Sequence, residues 1–177
     1  VVPPGVTWTE IGPRPLDNNA ASGGYKYGIV TGRINSVAFA SSTVAYAVGS
    51  VGGVWKTTNF STSSPANITW TQLWDDPNFA AQSVGVIAID PNNANTVYVG
   101  TGDSQPVAGD AFGNGIYKSS DAGANWTQYG GNLFSHYLST GAPGTSCCAL
   151  APDENIKSLV VNPNNSNIVI AGASYGL

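Results

Sequence analysis

Asp17, Asp75, Asp76, Asp103, Asp110, Asp153 and Glu154 all fall in long segments between apolar runs. Two carboxyl groups flanking one bond are what glycoside hydrolysis requires, so a carboxylate-bearing loop cluster is where such chemistry would sit. Among the same segments stand Trp74, Tyr25, Tyr27, Phe112, Phe134, His136 and Tyr137. Aromatic rings with a polar tip suit stacking on sugars and contact with proteins, and serve equally to pin a long loop to its scaffold. Asp75-Asp76, directly after Trp74, could hold calcium or meet sugar hydroxyls, with a solvated acidic pair as the plain alternative. Asp103 is the first choice for a functional carboxylate, with capping of the Gly102 turn as its structural alternative. The candidate binding set is Trp74, Asp75, Asp76, Asp103, Asp110, Phe112, His136 and Tyr137. No catalytic residue is assigned.

Other chemistries find little support. One histidine, His136, argues against a zinc site, and the adjacent Cys147 and Cys148 fit neither zinc-knuckle nor redox spacing. The two cysteines could close on each other in a strained ring or pair with cysteines elsewhere. No metal or cofactor is expected beyond calcium. Six basic residues are scattered through a chain of net charge -4, which cannot neutralise a phosphate backbone, so nucleic acid is excluded as a partner. No apolar run reaches the roughly 18 residues of a membrane span. Only 9% of the residues are charged, while Asn, Ser, Thr and Gly fill the polar positions. That profile points to a secreted or cell-surface protein after signal-peptide removal. The sequons at Asn59, Asn67, Asn125 and Asn164 are candidate glycosylation acceptors.

The elements that must position these groups repeat. Trp8-Thr9-Glu10, Trp70-Thr71-Gln72 and Trp126-Thr127-Gln128 share one strand start, and Gly53-Val54-Trp55-Lys56-Thr57-Thr58-Asn59 answers Gly115-Ile116-Tyr117-Lys118-Ser119-Ser120-Asp121. Val86 to Asn93 is matched by Leu159 to Asn165. Such self-similarity marks one supersecondary unit stacked on its copies. Short Val- and Ile-rich runs separated by Pro and Asn-Asn clusters read as strands covered on both faces. The first repeat is predicted to place strands near 34–40, 44–48, 54–57 and 70–73; the second, near 84–90, 96–101, 115–119 and 126–129.

Repeated four-stranded antiparallel sheets make an all-β fold, a β-propeller of about four to eight blades. The chain is predicted to be a single partial propeller: a first blade over 12–73, a second over 83–129, the start of a third over 155–177, and a strand at 7–12 that closes the last blade. About two and a half blades leave apolar faces for further chain or for neighbouring subunits to cover, so self-assembly is one expectation. Antiparallel connectivity gathers the long loops 13–33, 74–82, 102–114 and 130–155 at one end, where binding is expected.

Ser119 to Trp126 fits the pattern Ser-x-Asp-x-Gly-x-x-Trp, with Ser119 or Ser120 as its serine. The chain thereby resembles Asp-box (BNR-type) repeat propellers, and its Ile89-to-Gly100 and Gly53-to-Asn59 strings are most similar to the sortilin-like and xyloglucanase-type members, less to sialidases. The resemblance implies that the box Ser119, Asp121, Gly123 and Trp126 is structural. Physically it is a turn lock, with Asp121 accepting main-chain N–H groups, Gly123 at positive φ and Trp126 packed between blades. Asn59 stands at the aspartate position of a degraded first copy.

In xyloglucanase-type relatives the stretch matching Tyr46 to Lys56 carries a catalytic aspartate, and Ser50 stands at that place here. Sialidases clamp substrate with three arginines, and this chain has Arg14 and Arg33. The resemblance therefore implies a non-catalytic module for protein or glycan binding or extracellular assembly. The alternative is a glycoside hydrolase whose remaining catalytic groups lie outside this chain.

Overall fold

The computed structural model describes residues 16–17, 29–30, 33–50, 52–61, 63–74, 83–103, 113–130 and 155–173. β1 (Leu16–Asp17) and β2 (Ile29–Val30) pair as a small antiparallel ribbon inside a segment expected to be loop throughout. Sheet one follows, an antiparallel meander of β3 (Ile34–Phe39), β4 (Ala45–Gly49), β5 (Gly53–Thr57) and β6 (Thr71–Gln72). Sheet two repeats that order with β7 (Val84–Asp90), β8 (Asn93–Thr101), β9 (Ile116–Ser119) and β10 (Thr127–Tyr129). Sheet three holds β11 (Ile156–Val161) and β12 (Val169–Ala173).

The fold is therefore built from antiparallel sheets of four, four and two strands, and the described strands do not close into a ring. β8 begins at Asn93, three residues before the sequence places it, because Asp90 and Asn93 are already partners across a tight Pro91-Asn92 turn. Asp90 Oδ1 fixes that turn by accepting the Asn92 main-chain N–H at 2.9 Å. The same carboxylate accepts the Ser166 hydroxyl at 2.9 Å, and Asn92 Nδ2 donates to the Pro163 carbonyl at 2.9 Å. The Asn-rich turns of sheets two and three thus hold each other.

The first strands sit side by side: β3 packs against β7, and β7 against β11. Tyr46, Val48, Val54 and Trp74 from sheet one meet Val84, Ile87, Val97, Val99 and Tyr117 from sheet two in one buried cluster. The opposite face of sheet two contributes Tyr98 to a second cluster with Ile156, Leu159 and Val161 of sheet three. The inner strands of sheet two, β7 and β8, are packed on both faces, as near-continuous apolar strands require. The outer sheets are not, and Ile34, Val37 and Phe39 on β3 and Val160 and Ile170 on sheet three are exposed.

The Ser119–Trp126 turn joins β9 to β10. Ser119 Oγ donates to Asp121 Oδ1 at 2.7 Å and accepts the buried Gly123 N–H at 2.8 Å. Asp121 accepts Asn125 Nδ2 at 2.7 Å and the Asn125 main-chain N–H at 2.8 Å. These donors, the Asn125 side chain foremost, then the Asn125 main chain and the Ser119 hydroxyl, hold the Asp121 carboxyl down at about 2. Gly123 adopts φ 94°, and a Cβ there would stand 2.5 Å from Leu73 Cδ1 on sheet one. Ser119 is buried and Ser120 exposed, so Ser119 is the serine of the turn.

The first repeat builds the same turn with other residues. Thr57 Oγ1 donates to Asn59 Oδ1 at 2.9 Å, Thr69 N donates to that oxygen at 3.0 Å, and Asn59 Nδ2 donates to the Asn67 carbonyl at 2.9 Å. The intervening residues form a short 3-10 turn at Pro65–Asn67.

Candidate functional site

The chain enters the three first strands through Arg33, Ser83 and Asn155, and two residues further on it carries Asn35, Gly85 and Lys157. The register that aligns Ile34 with Gly49 and Val84 with Thr101 brings these positions to one end of the molecule. The return strands end there as well. Ser50 N donates to the Arg33 carbonyl at 3.1 Å, and Gly102 N to the Ser83 carbonyl at 2.9 Å, so the two crossings are equivalent.

Asp103 follows Gly102, whose φ of 92° turns the chain inward. The Asp103 side chain is 7% exposed and forms an ion pair with the Arg33 guanidinium, itself 40% exposed. Arg33 Nη2 also donates to Ser50 Oγ at 2.9 Å. One guanidinium thus ties the end of β4 to the end of β8 across the first two sheets. Asn35 Nδ2 adds a second tie, donating to the Val84 carbonyl at 2.9 Å.

Beside this pair lies a polar cleft of about 180 Å³, lined by Asn35, Gly85, Gly102, Asp103, Asn155 and Lys157 together with Ile156. Gly85 makes it narrow. A Cβ at that position would stand 2.6 Å from the Gly102 carbonyl oxygen and 2.7 Å from that of Ile156, so only glycine lets the starts of β7 and β11 approach so closely.

Asp103 lines the cleft and is held opposite the Arg33 guanidinium. Lys157 and Asn35 line the cleft with N–H donors, and Arg33 adjoins it through Asp103, a set that suits hydroxyl-rich or carboxylate-bearing ligands. Among the described residues no group of three or more His, Cys, Asp or Glu is placed to hold a metal ion. Among them, too, no helix is long and apolar enough to cross a membrane.

Of the residues singled out in the sequence, Asp103 lies in the cleft, and Trp74 does not. Trp74 is a correction. It was expected as a stacking platform on the loop face, but it is fully buried, edge-on to Tyr117 at 4.8 Å and to Trp126 at 5.2 Å. Leu73 N still donates to the Val54 carbonyl at 2.8 Å, so the main chain stays against sheet one beyond β6 and carries the next ring into the core. Asp75, Asp76, Asp110, Phe112, His136, Tyr137, Cys147 and Cys148 lie outside the described residues.

The sequence reading missed Asn35, Asn155 and Lys157. Their signal was positional: each stands at or next to the entry of a first strand, where equivalent residues of stacked repeats must converge. Of the four sequons, Asn67 and Asn164 are exposed, whereas the amides of Asn59 and Asn125 are engaged in their turns. Compared with known proteins, the chain matches no protein-family model and no curated protein sequence.

Proposed function

We propose that this chain is a secreted or cell-surface binding module of the β-propeller type, non-catalytic in this segment, which takes a carbohydrate or protein ligand at the end where β3, β7 and β11 begin. Three antiparallel sheets with adjoining first strands support the propeller reading, and the geometry of the Ser119–Trp126 turn supports its kinship with Asp-box repeats. The low charge content supports an extracellular setting.

One observation carries the functional reading: Arg33 bonds both Asp103 and Ser50. Ser50 stands where the resembled hydrolases place a carboxylate. Here it joins the network that holds Arg33 against Asp103, so Ser50 and the cleft residue Asp103 organise a guanidinium rather than form a pair of reacting carboxyls.

The test is binding of the intact protein to immobilised neutral and acidic oligosaccharides, with and without Arg33→Ala. Loss of a charge-assisted contact should weaken binding by about tenfold or more. Equal binding by the variant would remove the cleft from the reading. The second reading, a glycoside hydrolase completed by groups outside this chain, is favoured by the burial of Asp103 beside a cleft. Release of sugar from the bound glycan would establish it instead.

A further inference from the structure

Sheet one receives the turn of sheet two through two side chains. Tyr46 on β4 and Lys56 on β5 are direct cross-strand partners. Tyr46 Oη at 3.1 Å and Lys56 Nζ at 3.0 Å both donate to the main-chain carbonyl of Ala122, the residue at φ 59° in the Ser119–Trp126 turn. Lys56 Nζ lies 5.4 Å from the centre of the Tyr46 ring, so ring and ammonium form one socket for a carbonyl oxygen.

Sheet two carries the same socket on its other face. Tyr98 on β8 and Lys118 on β9 are direct cross-strand partners, and Lys118 Nζ again lies 5.4 Å from the centre of the tyrosine ring. Among the described residues neither Tyr98 Oη nor Lys118 Nζ donates to a turn carbonyl. Instead the pair borders a hollow of about 390 Å³, with Ile116 and Tyr129 on one side and Val169 and Ala171 on the other.

The third sheet accounts for that hollow. β11 and β12 correspond to β3 and β4 of sheet one and to β7 and β8 of sheet two. In those sheets the second strand pairs next with a third, and in sheet two the turn after the third strand reaches sheet one. Among the described residues β12 pairs with β11 alone, and Ile170 on it is 67% exposed.

We propose that the hollow between sheets two and three seats a β-hairpin of this chain's own repeat type, which adds to the open edge of β12 and offers one turn carbonyl to Tyr98 and Lys118. The occupant is specified by the interface that already exists between sheets one and two. Main-chain pairing along β12 supplies affinity, as in other strand additions. A turn with a residue at positive φ supplies the outward carbonyl, and the tyrosine hydroxyl with the ammonium reads it. This seat lies between sheet faces rather than at the cleft, so it stands or falls independently of the binding reading above.

The experiment uses the full chain and a labelled peptide of residues 113–130, closed by a disulfide between added terminal cysteines to hold the hairpin. Fluorescence anisotropy should show saturable binding at one site. Lys118→Met, which keeps the apolar stem, should weaken it about tenfold, and Tyr98→Phe about fivefold, the worth of a charge-assisted and a neutral hydrogen bond. Lys56→Met should leave it unchanged, since the peptide is not expected to displace the resident turn. A peptide carrying Gly123→Val, which cannot hold the turn, should bind poorly.

Absence of saturable binding overturns the proposal. So does binding indifferent to both Lys118→Met and Tyr98→Phe, or binding governed by Lys56→Met. Sedimentation provides the remaining outcome: self-association of the chain that Lys118→Met abolishes and the peptide does not compete would make a second copy the occupant and refute the hairpin.

Discussion

Replacing Ser119 by alanine removes one oxygen and should cost far more than its size suggests. Ser119 is 1% exposed, and its Oγ is the acceptor for the buried Gly123 N–H at 2.8 Å. Alanine leaves that N–H without a partner in a place water reaches poorly, a penalty of about 1–3 kcal/mol. The other two contacts of the hydroxyl add less. Asp121 is exposed and exchanges the lost 2.7 Å donor for water, and the Asp121 N–H is held only at 3.3 Å. Ser120→Ala, one residue along and exposed, should stay within about 0.5 kcal/mol of the parent. Urea unfolding followed by tryptophan fluorescence suits the test, because Trp126 at the end of the turn contacts Trp74 in the core. A loss of about 2 kcal/mol corresponds to roughly 4–8 °C in Tm for a domain of this size. Ser119→Thr should recover most of it, since Thr57 fills the equivalent place in the first turn. Equal midpoints for Ser119→Ala and Ser120→Ala, or a larger loss for Ser120→Ala, would refute the assignment of the lock.

The same turn sets an acid response. The Asp121 carboxyl is lowered from 3.8 to about 2, so its contribution is complete above the unfolded value and is lost as pH falls through about 2. Unfolding midpoints measured from pH 5 to pH 2 should therefore fall in the parent and run flatter in Asp121→Asn; parallel profiles would contradict the hydrogen-bond account. Trp74→Ala should destabilise by about 3–5 kcal/mol, as for a fully buried aromatic ring, with chemical denaturation as the check. Gly85→Ala should lower Tm by several degrees, because its Cβ meets main-chain oxygens of Gly102 and Ile156 that cannot rotate away; an unchanged Tm would mean that the starts of β7 and β11 are not so closely apposed.

The strands and their meander order were legible because local signals specify them. Val- and Ile-rich runs such as Val84 to Ile89 are closed by Pro91-Asn92, and hairpin connections leave little choice of neighbour. The choice between Ser119 and Ser120 was legible in principle too. Side chains alternate along β9, so residue 119 shares the buried face of Tyr117, and counting from Tyr117 selects it. Trp74 was misread because the sequence ends the fourth strand at residue 73 and opens a loop there, whereas the ring that follows Leu73 packs into the core against Tyr117 and Trp126. The Arg33–Asp103 pair was beyond local reading, since its members lie 70 residues apart and meet only when β3 and β7 are set side by side. Nor does any local pattern betray the Tyr98–Lys118 socket until Tyr46 and Lys56 are seen holding Ala122.

We propose that the end of the molecule bearing Arg33, Ser50 and Asp103 recognises a ligand without transforming it. The most direct test is incubation of the intact protein with a panel of β-glucans and sialosides, followed by quantification of newly released sugar, with Asp103→Asn in parallel. Recognition alone gives no release above background in either protein, whereas release by the parent that Asp103→Asn abolishes would make Asp103 a reacting group.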